Sequence, residues 1–293
     1  MQTRLGFSGA HRVRTKACRT GAVSLLAAAM VALSPTPLAA LPSLAVVPTA
    51  PNVEQPALWM LRDTDTTIYL FGTFHALDAR TDWFGRNVRA AFDSSDQLIL
   101  ETLAPTDPLE LADSLARHAL AAPLIPGAPV VRGAFATSAR QAMSAGRSAG
   151  MTVDRGADAV LRRIADAEGK PVGGLESFDT QLAMLAGLPA AKLTPITVGP
   201  HPGVQQLMLD MQSAWRRGDG SAFAAVLGSL EAQSPAAYRK LFVDRNDDWA
   251  GWVARRMDRP GTVFVAVGTG HLIGRDSVQQ KLALRGYTIT RIN

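Results

Sequence analysis

Two stretches of the chain spell nearly the same thing. One reads Ile68-Tyr69-Leu70-Phe71-Gly72-Thr73-Phe74-His75, the other Phe264-Val265-Ala266-Val267-Gly268-Thr269-Gly270-His271. Each is an apolar, strand-like run broken by Gly-Thr, with a histidine three residues after the glycine. In open α/β sheets ligands bind beyond the carboxyl ends of the strands, so a histidine just past a strand end is placed for chemistry. Two carboxylates stand in like positions. Glu101 ends the run Asp96–Glu101, and Glu176 follows the run Lys170–Leu175. Two imidazoles and a carboxylate can bind a divalent ion and leave positions open. Such an ion would acidify a bound water toward a pKa of about 7 and polarise a carbonyl, with a second carboxylate as general base. The same residues also allow metal-free hydrolysis, in which a histidine assisted by carboxylates activates water.

Other candidates carry weaker signals. Arg245-Asn246 lies in the polar stretch Asp244–Asp248 beside Trp249 and Trp252. That pattern suits a solvated helix face, or else an arginine that binds an oxyanion with an asparagine donor beside it. His118 sits among alanines and leucines on a helix, and His201 lies in a Pro/Gly loop. Gly72 and Gly268 are expected to let the chain leave the strand in a conformation that a Cβ resists. Thr73 and Thr269 are expected to cap or bond the turn that follows.

These residues need elements to hold them. Strand-like Ala57–Met60 and Thr66–Phe71 flank a turn at Asp63-Thr64-Asp65. Helices are expected at Asp82–Phe92, Pro108–Ala122 (capped by Thr106 or Asp107), Thr137–Ala149, Asp154–Glu168 and Phe178–Leu185. Pro123–Pro129 reads as a loop, and Thr194–Pro202 as a break. Val204–Arg217, Gly220–Glu231 and Pro235–Met257 read as helices. They are followed by the strand Thr262–Val267, the helix Ser277–Leu284 and the strand Tyr287–Ile292. Strands alternating with helices predict an α/β fold with a mixed, mostly parallel central sheet, flanked by helices and with a helical middle region.

Composition narrows the options. Arg4, Arg12, Arg14, Lys16 and Arg19 precede an apolar run, Gly21–Leu33, which Pro35 and Pro37 end; small residues follow at Ala39-Ala40 and Ser43-Leu44-Ala45. That is the pattern of a secretory signal peptide over residues 1–45, cleaved after Ala40 or Ala45. An uncleaved membrane anchor is the alternative. The run is shorter than the roughly 20 apolar residues of a spanning helix, so no stable membrane insertion is expected after cleavage. A Pro-rich linker, 46–56, leads to a single domain, 57–293. The protein is expected to be exported, periplasmic or secreted. Five of its 30 basic residues lie in the leader, leaving 25 against 25 acidic ones. The high pI therefore does not argue for nucleic acid as a partner. The one cysteine, Cys18, also lies in the leader, which excludes a disulfide or a thiolate nucleophile from the mature chain. A mature chain of roughly 245 residues can be held by its core alone.

With these residues in place, the chain resembles the TraB/PrgY/GumN family, relatives of the Tiki metalloproteases and, more distantly, of erythromycin esterase-like and ChaN-like proteins. The resemblance runs through Leu58-Trp59, both Gly-Thr-x-His elements, Glu101, Gly169-Lys170-Pro171-Val172, Leu175-Glu176-Ser177, Gln181, Arg245-Asn246 with Trp249, Leu282 and Gly286-Tyr287. It implies a divalent metal ion on His75, Glu101 and His271. Glu101, Glu176, Arg245 and Asn246 would be catalytic, Arg245 and Asn246 by holding the substrate carbonyl or carboxylate, and the substrate a peptide or other small molecule. Phe74 is bulkier than the aliphatic residue common there and would reshape the pocket wall. A non-catalytic ligand-binding protein of the same fold is the competing reading.

Overall fold

Asp63 turns the first hairpin. In the computed structural model, which describes residues 55–120, 144–188 and 202–293, its Oδ1 accepts from the N–H groups of Asp65 (3.1 Å) and Thr66 (2.8 Å). A short acceptor folding back on its own backbone is what makes Asp a turn former. The turn joins β1 (Leu58–Arg62) to β2 (Thr66–Thr73) in an antiparallel pair. The further strands are β3 (Gln97–Leu103), β4 (Val172–Ser177), β5 (Gly261–Gly268) and β6 (Thr290–Arg291). They form one sheet in the order β4-β3-β5-β2-β1-β6. β4, β3, β5 and β2 run parallel, while β1 and β6 add antiparallel pairings at the other end of the sheet. The mixed, mostly parallel α/β sheet is therefore as the alternation of elements predicts.

The β2–β5 pairing decides where the site lies. Its register runs from Thr66 opposite Gly261 to Thr73 opposite Gly268. The twin elements are neighbours in space, although some 190 residues separate them in sequence. β3 flanks β5 on the other side, and β4 flanks β3.

Helices cover both faces, which is why the inner strands are apolar throughout rather than alternating. They are α1 (Arg86–Asp93), α2 (Pro108–Leu120), α3 (Ala157–Glu168), α4 (Phe178–Ala186), α5 (Pro202–Arg216), α6 (Ser221–Gln233), α7 (Pro235–Tyr238), α8 (Asp244–Met257) and α9 (Val278–Leu284). Phe71, Phe92, Trp215 and Phe264 pack on one side of the sheet. Ile68, Leu70, Val265, Trp249 and Val253 pack on the other. Each such side chain contributes about 1.5–3 kcal/mol through burial. Among the described residues no helix is long and apolar enough to cross a membrane.

Several expected boundaries move. α1 starts at Arg86, not Asp82, because Gly85 is extended (φ −70°, ψ 179°) and Trp83 is drawn into the core against Phe71 (5.6 Å) and Trp215 (5.9 Å). β3 continues two residues past Glu101, where Thr102 and Leu103 pair with Glu176 and Ser177. The helix expected over Pro235–Met257 is interrupted by a π-helical segment, Arg239–Val243. Of Tyr287–Ile292 only Thr290–Arg291 forms a strand. The leader, most of the linker, the loop at 123–129, the start of the helix expected from Thr137, and His201 lie outside the described residues.

Candidate functional site

The two Gly-Thr turns interlock. Thr269 Oγ1 donates to the Thr73 carbonyl (2.9 Å), and a Cβ on Gly72 would come within 2.9 Å of the Thr269 hydroxyl oxygen. Trp215 Nε1 donates to the Gly72 carbonyl (2.8 Å). Neither Gly72 nor Gly268 has a positive φ. The expectation that they serve an unusual backbone conformation is thus corrected: they are glycines because neighbouring atoms approach too closely for a Cβ.

Gly268 carries the closest approach. A Cβ there would stand 2.9 Å from Glu101 Oε1, 3.1 Å from His75 Nε2 and 3.8 Å from His271 Cδ2. Side chains from β3 and from the two turns therefore meet over one glycine, as the strand-end argument predicts.

His75 is oriented from behind. Its Nδ1 lies 3.1 Å from Asp158 Oδ1; a carboxylate only accepts, so Nδ1 carries the proton and Nε2 faces Gly268. Asp158 stands in the first turn of α3, and α3 is clamped to the turn. Ala157 N–H donates to the Phe74 carbonyl (3.0 Å), and a Cβ on Gly156 would come within 2.2 Å of the His75 carbonyl oxygen. Burial works against a charged His75, but the Asp158 carboxylate outweighs it and raises the pKa to about 9. Sequence reasoning missed Asp158, since an acidic residue in a helix's first turn is common for the helix dipole alone.

Arg245 is the hub of the other half. Its Nε donates to Glu176 Oε2 (3.1 Å) and its Nη2 to Glu176 Oε1 (2.6 Å) and Glu101 Oε2 (3.1 Å). Its Nη1 donates to the Leu241 carbonyl (3.2 Å) and to His271 Nε2 (3.1 Å). All five N–H groups of the guanidinium are engaged, while its face lies over Trp249, 4.5 Å from the ring centroid. The reading of Arg245-Asn246 as a solvated helix face is overturned, because both side chains are buried. As placed, Arg245 has no donor left for a substrate oxygen; it fixes two carboxylates and an imidazole. Burial raises the Glu176 pKa against the pull of this arginine. The helix after β4 is capped by Ser177, which accepts from Thr180 N–H, so the Glu176 side chain is not the cap.

Glu101 Oε1 accepts from the Gly268 N–H (2.5 Å) and lies 3.7 Å from His271 Nε2. Burial alone would raise its pKa; His271, Arg245, His75 and the Gly268 N–H together lower it to about 2. For His271 the tautomer follows from its partners. Arg245 can only donate, so Nε2 accepts, and Nδ1–H donates to Asn246 Oδ1 (2.6 Å). Burial and then the Arg245 charge push its pKa down to about 3. Asn246 Nδ2 is held by the carbonyls of Asp276 (2.8 Å) and His271 (3.4 Å). Asn246 therefore orients His271 and has no free group directed at a substrate. Phe242 and Trp249 both pack against the imidazole in tilted contacts, with centroids at 4.9 and 4.4 Å.

A narrow cleft opens on this centre, lined by Thr73, His75, Glu101 and His271 and walled by Phe74, Met211, Phe223 and Phe242. Phe74 is a wall residue, as its bulk suggests. His118 is elsewhere, 3.3 Å from Asp179 on α4.

Fold and centre together define an α/β protein with a buried polar site at the carboxyl ends of parallel strands. Residues 57–130 and 124–291 match the model of the TraB/PrgY/gumN family, and the chain belongs to that family. No match was found among curated proteins or among solved structures.

A divalent ion is the group the family resemblance implies, and the donors fit one in kind. Both histidines have Nδ1 tied to an outer oxygen and Nε2 turned inward beside Glu101, the arrangement by which outer partners orient metal ligands. Gly268 leaves between them a space that a Cβ would fill. Arg245 donates to His271 Nε2, and among the described residues no three His, Asp, Glu or Cys side chains form a ligating group, so an ion can bind here only if Arg245 releases His271 and the three side chains draw together.

Proposed function

We propose that the chain is an exported, metal-dependent hydrolase of peptide bonds, with the ion held by His75, Glu101 and His271. One observation carries the reading: imidazoles from the twin turns lean over Gly268 beside a buried carboxylate, each already fixed through Nδ1. The ion would supply a Lewis acid and a water of lowered pKa. The chain's own residues do the rest. The Gly268 N–H and Arg245 each hold one oxygen of Glu101. Phe74, Met211, Phe223 and Phe242 exclude bulk water, which strengthens every charge interaction inside. Hydrolysis places the water's hydroxyl on the carbonyl carbon and its proton on the departing amine. Export rests on the basic-then-apolar leader.

A second reading dispenses with the ion. The hydrogen bond from Arg245 to His271 Nε2 favours it, since that lone pair is already in use. In this case Glu101 takes the proton from water, and His75, backed by Asp158, gives one to the leaving group.

The test is to purify the exported chain, measure bound divalent metal, and follow cleavage of internally quenched peptides and 4-nitrophenyl acetate with and without EDTA. Activity lost on chelation, restored by an added divalent ion, and absent from folded His75→Ala and His271→Ala is the expected result. Chelator-insensitive hydrolysis selects the second reading. A chain that neither hydrolyses any probe nor retains metal under any addition is a binding protein instead.

A further inference from the structure

The two threonines of the Gly-Thr pairs are not used alike. Thr269 Oγ1 rivets one turn to the other through the Thr73 carbonyl. Thr73 Oγ1 is buried and has no hydrogen-bond partner among the described residues. Buried hydroxyls in native proteins are almost always bonded; of the two orphaned threonine hydroxyls among the described residues, on Thr73 and Thr102, only that of Thr73 belongs to a residue lining the cleft, where a partner from outside the chain can meet it. Thr73 pairs with Gly268 in the β2–β5 ladder, one interstrand step of about 4.8 Å from the glycine over which Glu101 Oε1 and His75 Nε2 meet.

Apart from His75 Nε2, to which the proposed function already gives the ion or the leaving group, the side-chain donors nearby are engaged. Arg245 gives all its N–H groups to protein acceptors. The Asn246 amide holds two carbonyls, His271 Nδ1 holds Asn246, and the Gly268 N–H holds Glu101. A carbonyl under attack gathers negative charge on its oxygen and is stabilised by a donor already in place. We infer that the Thr73 hydroxyl is that donor, hydrogen-bonding the carbonyl oxygen of the bound acyl substrate, amide or ester, as the tetrahedral intermediate forms. This rests on the hydrolase reading and adds a residue to which that reading gives no role.

The experiment compares Thr73→Val, Thr73→Ser and Thr269→Val by thermal melting and by kinetics on the same quenched peptides and 4-nitrophenyl acetate. Valine keeps the shape and removes the hydroxyl. Thr73→Val should melt at or slightly above the wild-type temperature, since no bond within the protein is lost, while kcat falls about 10²-fold with KM little changed. Thr73→Ser should keep most of the activity. Thr269→Val should melt lower. The inference is overturned if Thr73→Val loses as much melting temperature as Thr269→Val, or hydrolyses at the wild-type rate. A wild-type chain that hydrolyses neither probe sinks the hydrolase reading itself, and this role with it; an active wild type with an equally active Thr73→Val sinks this inference alone.

Discussion

Arg245 sets the energetics at the residue scale. It neutralises Glu101 and Glu176 in a buried setting, where removing one partner of an ion pair costs about 3–5 kcal/mol, because the other charge stays buried and unpaired. Arg245→Ala should lower the unfolding free energy measured by urea titration by that amount. Arg245→Lys should rescue only part of it, since one ammonium cannot span two carboxylates and an imidazole. The histidines give opposite pH signatures. His75 binds its proton more tightly when folded, with a pKa of about 9 against an ordinary 6.5. Its contribution is fully present below pH 6.5 and lost as pH rises through 9. His271 is held neutral down to about 3, so protonation of the unfolded chain erodes stability as pH falls below 6.5. Melting curves of chelated protein should therefore peak near pH 6.5, and His75→Gln should flatten the alkaline limb.

At the scale of elements, the α3 clamp is the sharpest prediction. A methyl group on Gly156 would meet backbone, not a side chain that can swing aside. Gly156→Ala should cost about 1–3 kcal/mol, the range for overpacking, and displace Asp158 from His75; circular dichroism melts and histidine NMR would read the two effects. The sequence discloses the strands well, because fully buried parallel strands are continuous apolar runs, and Gly261–Gly268 is one of them. It discloses the strand-end residues for the same reason: His75, Glu101, Glu176 and His271 stand out as polar groups where apolar runs finish. It hides Asp158 and the engaged state of Arg245. Both depend on which helix packs against which turn, and a local pattern of charges does not carry that. The start of α1 is hidden likewise, since the pull of the core on Trp83 overrides helix propensity.

At the scale of the whole molecule, the β2–β5 ladder joins residues 66–73 to 261–268, and the centre adds side chains from positions 101, 158, 176 and 245. A chain made as far as β4 holds His75, Glu101, Asp158 and Glu176 but lacks the strand that sets β2 beside β3. β5 is the keystone, inserted between segments synthesised long before it. Contacts so distant in sequence form slowly, and the centre is complete only once β5 is in place. The fold thereby acts as a timer. No unfinished or unfolded chain carries a complete centre, so anything that depends on the whole site begins only after nearly the entire polypeptide has been made and folded. A hydrolase built on this plan needs no inhibitory pro-segment to stay silent while it is being made.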